Sequence, residues 1–106
     1  MVGRIWHGWT TPDNADTYEQ LLKTDVFPGI EAKGVAGFRE IQLFRRPLDN
    51  SEVEFITIMW FDSWDAIKEF SGEDYEQAYV PPQARKVLKR FDAQSQHYEI
   101  QEQRSY

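Results

Sequence analysis

The segment Val53-Glu54-Phe55-Ile56-Thr57-Ile58-Met59-Trp60-Phe61 decides the fold. Its β-branched and aromatic residues are typical of a strand. The odd-numbered positions are almost all apolar, and on the other side Ile56, Ile58 and Trp60 are apolar as well. A strand with one face in water would alternate apolar and polar residues. We therefore expect a central strand whose two faces are both covered.

The segment 37–46 has the same two-sided character, because Ile41 and Leu43 point to one side and Phe38 and Phe44 to the other. Helices can cover one side of such a sheet, but the other side would expose an apolar patch that monomers rarely carry. We therefore predict a homodimer in which two sheets pack face to face about a two-fold axis. The alternative is a long loop that covers the second face.

Strands and helices alternate along the chain. Strands are predicted at 2–10, 37–46, 53–61 and 93–101. One helix starts near residue 14, with its cap at Asp13 or Asn14, and is expected to kink or break at Pro28-Gly29. The order β-α-β-β-α-β predicts a ferredoxin-like α+β protomer, an antiparallel sheet with helices on one face. Right-handed crossovers place strands 1 and 3 in the centre and the last strand beside the first.

The second half of the chain is predicted to hold three short helical segments. Asp62 or Ser63 caps a helix that ends at Gly72, and a turn of helix is expected over 75–79. A further helix is expected after Pro81-Pro82. Its apolar residues are Ala84, Val87, Leu88 and Phe91.

Composition limits the classes of function. The chain has 106 residues, which predicts one domain over 1–101 followed by a polar tail over 102–106. Its net charge of −6 argues against binding to nucleic acid or to an anionic membrane. The chain has no cysteine, which excludes disulfides and thiolate chemistry. No apolar run has the length of a membrane span, and no signal peptide is evident, so we expect a cytoplasmic protein.

The two histidines, His7 and His97, lie in strands at opposite ends of the chain. If the first and last strands pair, His7 is a candidate general base towards an acidic phenol or enol, with His97 and Glu99 orienting it. The alternatives are two sheet histidines held by hydrogen bonds, or a histidine in the dimer interface. The three residues also have the ligand types of a two-histidine, one-carboxylate iron site. Without a distinctive motif, no metal is predicted.

Aromatic side chains are candidates for a pocket that binds a small aromatic or hydrophobic molecule. The candidates are Trp6, Trp9, Trp60, Trp64, Tyr75 and Tyr79. Tyr75 and Tyr79 precede Pro81-Pro82, where an irregular segment can close over a pocket and a phenol hydroxyl can donate to an oxyanion. The alternatives are core packing for the tryptophans and a surface connection for the tyrosines.

The chain resembles the antibiotic biosynthesis monooxygenase (ABM) domains of the dimeric α+β barrel superfamily. The resemblance extends to about residue 100. The residues that carry it are Arg4-Ile5-Trp6-His7-Gly8, Arg45-Arg46, 54–61, Phe70-Ser71-Gly72-Glu73-Asp74-Tyr75 and His97-Tyr98-Glu99.

The resemblance implies a tight dimer with a pocket between sheet and helices in each protomer. Some relatives oxidise polycyclic phenols without metal or flavin, others degrade haem, and others are isomerases or cyclases. The haem-degrading branch uses an Asn on strand 1, and a Trp and a His after strand 3. The corresponding positions here, near Trp6 or His7, near Phe70 and near Tyr79 or Val80, do not match.

The function predicted on this basis is a small ABM-like monooxygenase. It would oxidise an aromatic or quinol-type molecule without a bound cofactor, using His7, His97 and Glu99. The alternatives are a dimeric module that binds a small hydrophobic ligand without catalysis, and a haem-binding or metal-binding member of the same superfamily.

Overall fold

The computed structural model describes residues 1–106 and contains one five-stranded antiparallel sheet. The strands are β1 (Val2–Thr10), β2 (Phe38–Pro47), β3 (Val53–Phe61), β4 (Arg90–Phe91) and β5 (Gln96–Glu99). β3 lies between β2 and β1, and both β4 and β5 pair with β1. Helices cover one face of the sheet. This arrangement confirms the predicted ferredoxin-like α+β fold and the pairing of the last strand with the first.

The pairing of β1 with β3 fixes which side chains face the helices. It runs without interruption from Val2 opposite Phe61 to Thr10 opposite Val53. Because side chains alternate along a strand, the even residues of β1 and the odd residues of β3 share one face. The helices cover this face, and Phe55 and Phe61 on it are fully buried. We call the other face of the sheet, which no helix covers, the open face.

One predicted side chain orientation in β2 is wrong. A β-bulge between Phe38 and Glu40 shifts the register against β3. Phe38 therefore lies on the helical side with Ile41, where its ring contacts the ring of Phe61 at 5.4 Å. The extra residue of a bulge reverses the alternation on one side of it, and a period-two pattern does not contain that information.

The first helical region is continuous through Pro28-Gly29, where a kink or a break was expected. It consists of α1 (Pro12–Leu21), a π-helical turn (Leu22–Val26) and α2 (Phe27–Glu31). Thr11, rather than Asp13 or Asn14, occupies the N-cap position. At the end of the π-helical turn, the Phe27 N–H bonds the carbonyl of Leu22, five residues back. Pro28 then falls in the first turn of α2, where a missing N–H costs little.

The helix that follows β3, α3 (Trp64–Ser71), confirms the prediction. The hydroxyl of Ser63 accepts a hydrogen bond from the Ala66 N–H at 3.2 Å, and Gly72 ends the helix with a φ of +83°. These are the expected roles of an N-cap serine and of a glycine after the last turn.

The predicted helix after Pro81-Pro82 is much shorter than expected. Only α4 (Pro82–Arg85) forms. The Lys89 N–H bonds the carbonyl of Trp9 at 2.8 Å, and the Asp92 N–H bonds that of His7 at 3.0 Å. Pairing with the free edge of β1 thus replaces helical hydrogen bonds in this segment.

Two neighbouring predictions change with it. The last strand begins at Gln96 rather than near residue 93. The segment 75–79 forms no helical turn, because Gln77 makes an isolated bridge with Gln94. Residues 101–106 carry no helix or strand and are exposed. No helix is both long enough and apolar enough to cross a membrane.

Gly37 is required where the loop before β2 passes α3. A Cβ at Gly37 would lie 2.5 Å from the Cβ of Ala66, whereas a Cβ at Gly29 would meet nothing within 4 Å. We expect Gly37→Ala to lower the free energy of unfolding by about 1–3 kcal/mol through overpacking. The matched control Gly29→Ala, inside α2, should raise it by about 0.5–1 kcal/mol.

Urea unfolding of the two single variants and of Gly37→Ala with Ala66→Gly measures this contact directly. The second change removes the Cβ that clashes, so the double variant should be more stable than the sum of the single effects predicts. Additive effects would show that the close approach does not limit stability.

Candidate functional site

A cavity of about 520 Å³ lies between the helical side of the sheet and the helices. β1 and β3 form its floor with Arg4, Trp6, Thr57 and Met59. The walls come from the first helical region, from the end of α3 and from the irregular segment 77–81. Their lining residues include Tyr18, Leu22, Val26, Phe27, Ile30, Phe70, Ala78, Tyr79 and Val80. The cavity is therefore mainly apolar and aromatic, as small-molecule sites usually are.

Arg4 is the charged residue of the cavity floor. It is 7% exposed, and its Nη1 donates to the carbonyl of Tyr75 and to Nε2 of His97, the latter at 3.0 Å. Its Nη2 donates to the carbonyl of Gln77 at 3.2 Å. Burial lowers the pKa of Arg4 to about 10, so the guanidinium still carries its charge near neutral pH.

His97 lies directly opposite Arg4 in the pairing of β1 with β5. Its ring contacts Tyr75 edge to face at 5.2 Å and Trp64 at 5.9 Å. Burial, assisted by the positive charge of Arg4, lowers the pKa of His97 to about 4. The neutral imidazole therefore accepts a hydrogen bond from Arg4 and holds the guanidinium in place. This role makes His97 a weak base.

A second hollow of about 310 Å³ lies on the outer side of His97. Trp64 and Tyr75 line it, and the indole N–H of Trp64 donates to Oε1 of Glu99 at 2.7 Å. Ser95 lines both hollows. These contacts join four side chains into one cluster: His97, Glu99, Trp64 and Tyr75.

His7 is not part of that cluster, and the expected shared site of His7 and His97 does not form. His7 points to the open face, where its Nδ1 lies 3.3 Å from Glu54 Oε2. Glu54 also accepts from Arg46 at 2.7 Å, and these two partners, Arg46 first, lower the pKa of Glu54. β1 carries His7 and Arg4 at odd and even positions, so alternation sends the two histidine sites to opposite sides of the sheet.

The six aromatic candidates are divided among three places. Trp6 and Tyr79 line the main cavity, and Trp64 and Tyr75 line the second hollow. Trp9 and Trp60 lie on the open face. Arg90 packs over the Trp9 ring at 3.9 Å, and the Trp60 N–H donates to Gln42 at 3.0 Å.

The sequence interpretation missed Arg4 as a site residue. A signal was present, because Arg4 occupies an even position of β1 between Val2 and Trp6, on the side that the helices cover. A charged residue among buried positions is a stronger indication of a site than an aromatic residue there. No group of three or more His, Cys, Asp or Glu side chains is arranged to hold a metal ion.

Comparison with known proteins supports the fold. No protein-family model and no curated protein matches the chain. Rv0793 of Mycobacterium tuberculosis is similar in structure, with a TM-score of 0.62 and 19% identity over 98% of both chains. A Bacillus cereus protein described as a candidate antibiotic biosynthesis monooxygenase gives a TM-score of 0.67 at 9% identity, over 100% of this chain and 96% of that one.

A third similar structure is a dimeric ferredoxin-like protein from an uncultured marine organism. Its TM-score is 0.52 at 11% identity, over 98% of this chain and 91% of that one. At these identities the likeness establishes the ferredoxin-like α+β fold. The resemblance to ABM domains is confirmed at the level of the fold.

The hydrogen bond between Arg4 and His97 makes a prediction about acid stability. The folded state keeps His97 neutral down to a pKa of about 4, whereas the unfolded chain takes up this proton near pH 6.5. The unfolded state therefore binds more protons in this window, and stability falls as the pH falls from 6.5 to 4. His97→Gln, whose amide oxygen can also accept from Arg4, should lose less stability over the same window.

Urea unfolding of both proteins at intervals from pH 7.5 to pH 4 is the measurement. The difference in unfolding free energy between wild type and His97→Gln should shift in favour of the variant on acidification. Parallel curves would contradict the buried neutral imidazole.

Proposed function

We propose that this protein is an ABM-like monooxygenase that oxidises an aromatic or quinol-type small molecule in the cavity above β1 and β3. The observation that carries the proposal is the cavity itself. It has about 520 Å³, apolar and aromatic walls, and one buried positive charge at its floor. The likeness in fold to a candidate antibiotic biosynthesis monooxygenase supports the same reaction class.

The chemistry asks little of the protein beyond binding and charge. An activated methylene group of an anthrone-type substrate loses a proton, and the resulting anion passes electrons to molecular oxygen. A C–O bond forms, the O–O bond breaks, and the products are a ketone and one water. The positive charge of Arg4 favours the ionised substrate, and the apolar walls strengthen that attraction because they exclude water.

The proposal assigns proton transfer differently from the sequence interpretation. His7 lies on the far side of the sheet, and Glu99, which accepts from the indole N–H of Trp64, does not line the main cavity. Neither is placed to take a proton from a ligand in the main cavity. We propose that His97 positions Arg4 and that water at the mouth of the cavity accepts the proton. There the hydroxyl of Tyr79, a residue that is 82% exposed, can donate to a bound oxygen.

A binding function without catalysis is the second candidate, and one observation favours it. The nearest histidine to the cavity is a weak base, and its Nε2 already accepts from Arg4. A protein of this kind would bind the same aromatic compounds and leave them unchanged. The cytoplasmic location expected from the sequence stays a prediction.

Oxygen uptake with a panel of anthrones and hydroquinones tests the enzymatic proposal. Thr57→Trp places an indole on the cavity floor and should abolish uptake while the thermal midpoint shows that the variant is folded. Thr17→Trp, the same change at an exposed position of α1 that does not line the cavity, should keep the wild-type rate. Binding of these compounds to wild type without oxygen uptake would favour the second candidate, and equal rates in both variants would exclude the cavity.

We also propose that the protein is a homodimer in which the open faces of two sheets pack together. The open face carries a row of apolar side chains that the chain itself leaves uncovered. Its members are Ile5, Phe44, Ile56, Ile58, Trp60 and Tyr98. Phe44 is 49% exposed and Tyr98 is 59% exposed. Apolar patches of this kind mark interaction surfaces, and the marine ferredoxin-like protein of similar structure is dimeric.

Sedimentation equilibrium should give twice the chain mass of 12.6 kDa at micromolar concentration. Phe44→Glu places a charge in the proposed interface and should weaken the dimer by at least about tenfold, the equivalent of roughly 1.4 kcal/mol. Tyr106→Glu, at an exposed aromatic residue of the tail, is the control and should leave the dimer unchanged. A folded wild-type monomer would overturn the proposal.

A further inference from the structure

Arg4 differs from the other arginines of the sheet because no carboxylate neutralises it. Arg39, Arg45, Arg46 and Arg90 each pair with an Asp or Glu. Arg4 is nine-tenths buried, yet its partners are two carbonyl groups and a neutral imidazole. Buried charges are normally paired with an opposite charge, because desolvation is otherwise expensive. The charge of Arg4 is thus available to something outside the chain.

The guanidinium also has unused donors. It carries five N–H groups, and three hydrogen bonds leave one N–H on Nη2 and the N–H on Nε without a protein acceptor. No buried side-chain nitrogen or oxygen in the protein lacks a partner. The Nε atom is therefore reached by solvent. The N–H groups on Nε and Nη2 form one edge of the guanidinium, the edge that binds two oxygens of a carboxylate side by side.

The surroundings of these donors favour an organic anion with a flat apolar body. Trp6 and Phe70 line the same cavity, and the guanidinium carbon of Arg4 lies 5.8 Å from the centre of the Phe70 ring. Lys33 and Asp25 also line the cavity. Together with Arg4, its lining therefore holds two cations and one carboxylate. The Lys33 ammonium packs over the Phe70 ring at 4.2 Å.

We propose that the cavity binds an aromatic molecule bearing a carboxylate or an equally acidic oxygen, with that oxygen held by the free Nε and Nη2 donors of Arg4. The inference refines the proposed function, because it assigns an acidic group to the substrate of the same cavity. It can be tested separately from the oxygenase reaction, because the experiment measures binding without turnover.

A purely structural role for Arg4 is the competing interpretation. The three protein hydrogen bonds join β1 to β5 and to the segment 75–77. That role accounts for the buried position. It does not account for the missing carboxylate or for a pair of donors at a cavity floor. The two interpretations differ in whether an anion on an aromatic ring binds more tightly than its neutral isostere.

Isothermal titration calorimetry of the full chain with 2-naphthoate and with 2-naphthamide distinguishes them. The two probes share size and shape, and only the first is charged. Wild type should bind 2-naphthoate at least about tenfold more tightly than 2-naphthamide, because only the carboxylate forms a charge-assisted hydrogen bond with the buried cation. Arg4→Met should reduce this preference to about twofold or less. Arg45→Met removes an equal charge outside the cavity, from a residue paired with Asp16 and Glu19, and should keep the preference.

A measurement on the unmodified protein covers the case in which Arg4→Met does not fold. The Nε–H resonance of Arg4, assigned through its bonds to the backbone of the same residue, should shift on addition of 2-naphthoate and stay in place with 2-naphthamide. Equal affinities of wild type for the two probes, or no binding of either at millimolar concentration, would overturn the proposal. A preference that persists in Arg4→Met would also overturn it. A confirmed preference without oxygen uptake would contradict the oxygenase alone.

Discussion

The antiparallel pairing of β1 with β3 is the constraint on which the other features depend. From Val2 opposite Phe61 to Thr10 opposite Val53, the two strands keep one register without a bulge. This register assigns every side chain of the two central strands to one of two faces. It places Arg4, Trp6, Thr57 and Met59 together beneath the helices. It also places His7 and Glu54 together on the opposite face.

The two faces of the sheet consequently differ in structure. The helical face combines a fully packed layer, in which Tyr18 meets Phe55 edge to face at 4.9 Å, with a cavity beside it. The π-helical turn Leu22–Val26 borders this cavity, and such turns occur frequently at functional sites. The apolar row of the open face is flanked by ion pairs such as Arg46 with Glu54.

The sequence predicts the first three strands well because their signal is local. The two-sided apolar pattern predicts β3 with the bounds that the structure has. The capping residues Ser63 and Gly72 predict where α3 begins and ends. The helix prediction after Pro82 is wrong because the structure of this segment depends on pairing with a strand that is distant in sequence. Helical periodicity is present there, but the carbonyl groups of His7 and Trp9 capture its N–H groups. The predicted orientation of Phe38 is wrong for a related reason, since a bulge changes the face to which a side chain points and leaves the composition unchanged.

Site prediction followed the same division. The resemblance to ABM domains and the topology correctly placed β5 beside β1 and a pocket between sheet and helices. Residue type and the predicted pairing of the first and last strands favoured the two histidines as a pair. In the observed register His97 lies opposite Arg4, and His7, at an odd position of β1, points to the other face of the sheet. His97 is the partner of Arg4 rather than of His7. Strand parity is a property of the sequence itself, and for this site it is more informative than residue type.

The division of the last strand into β4 and β5 has a consequence for how the sheet meets other chains. The two short pieces pair with opposite ends of β1, and between them the backbone leaves the sheet near Trp6, whose indole N–H donates to the carbonyl of Asp92. On the opposite border, β2 ends in Arg45, Arg46 and Pro47. β2 is an edge strand of ten residues, but the bulge near Phe38, the two arginines and Pro47 make its outer border a poor template for a foreign strand. Lateral propagation into fibrils is thereby discouraged.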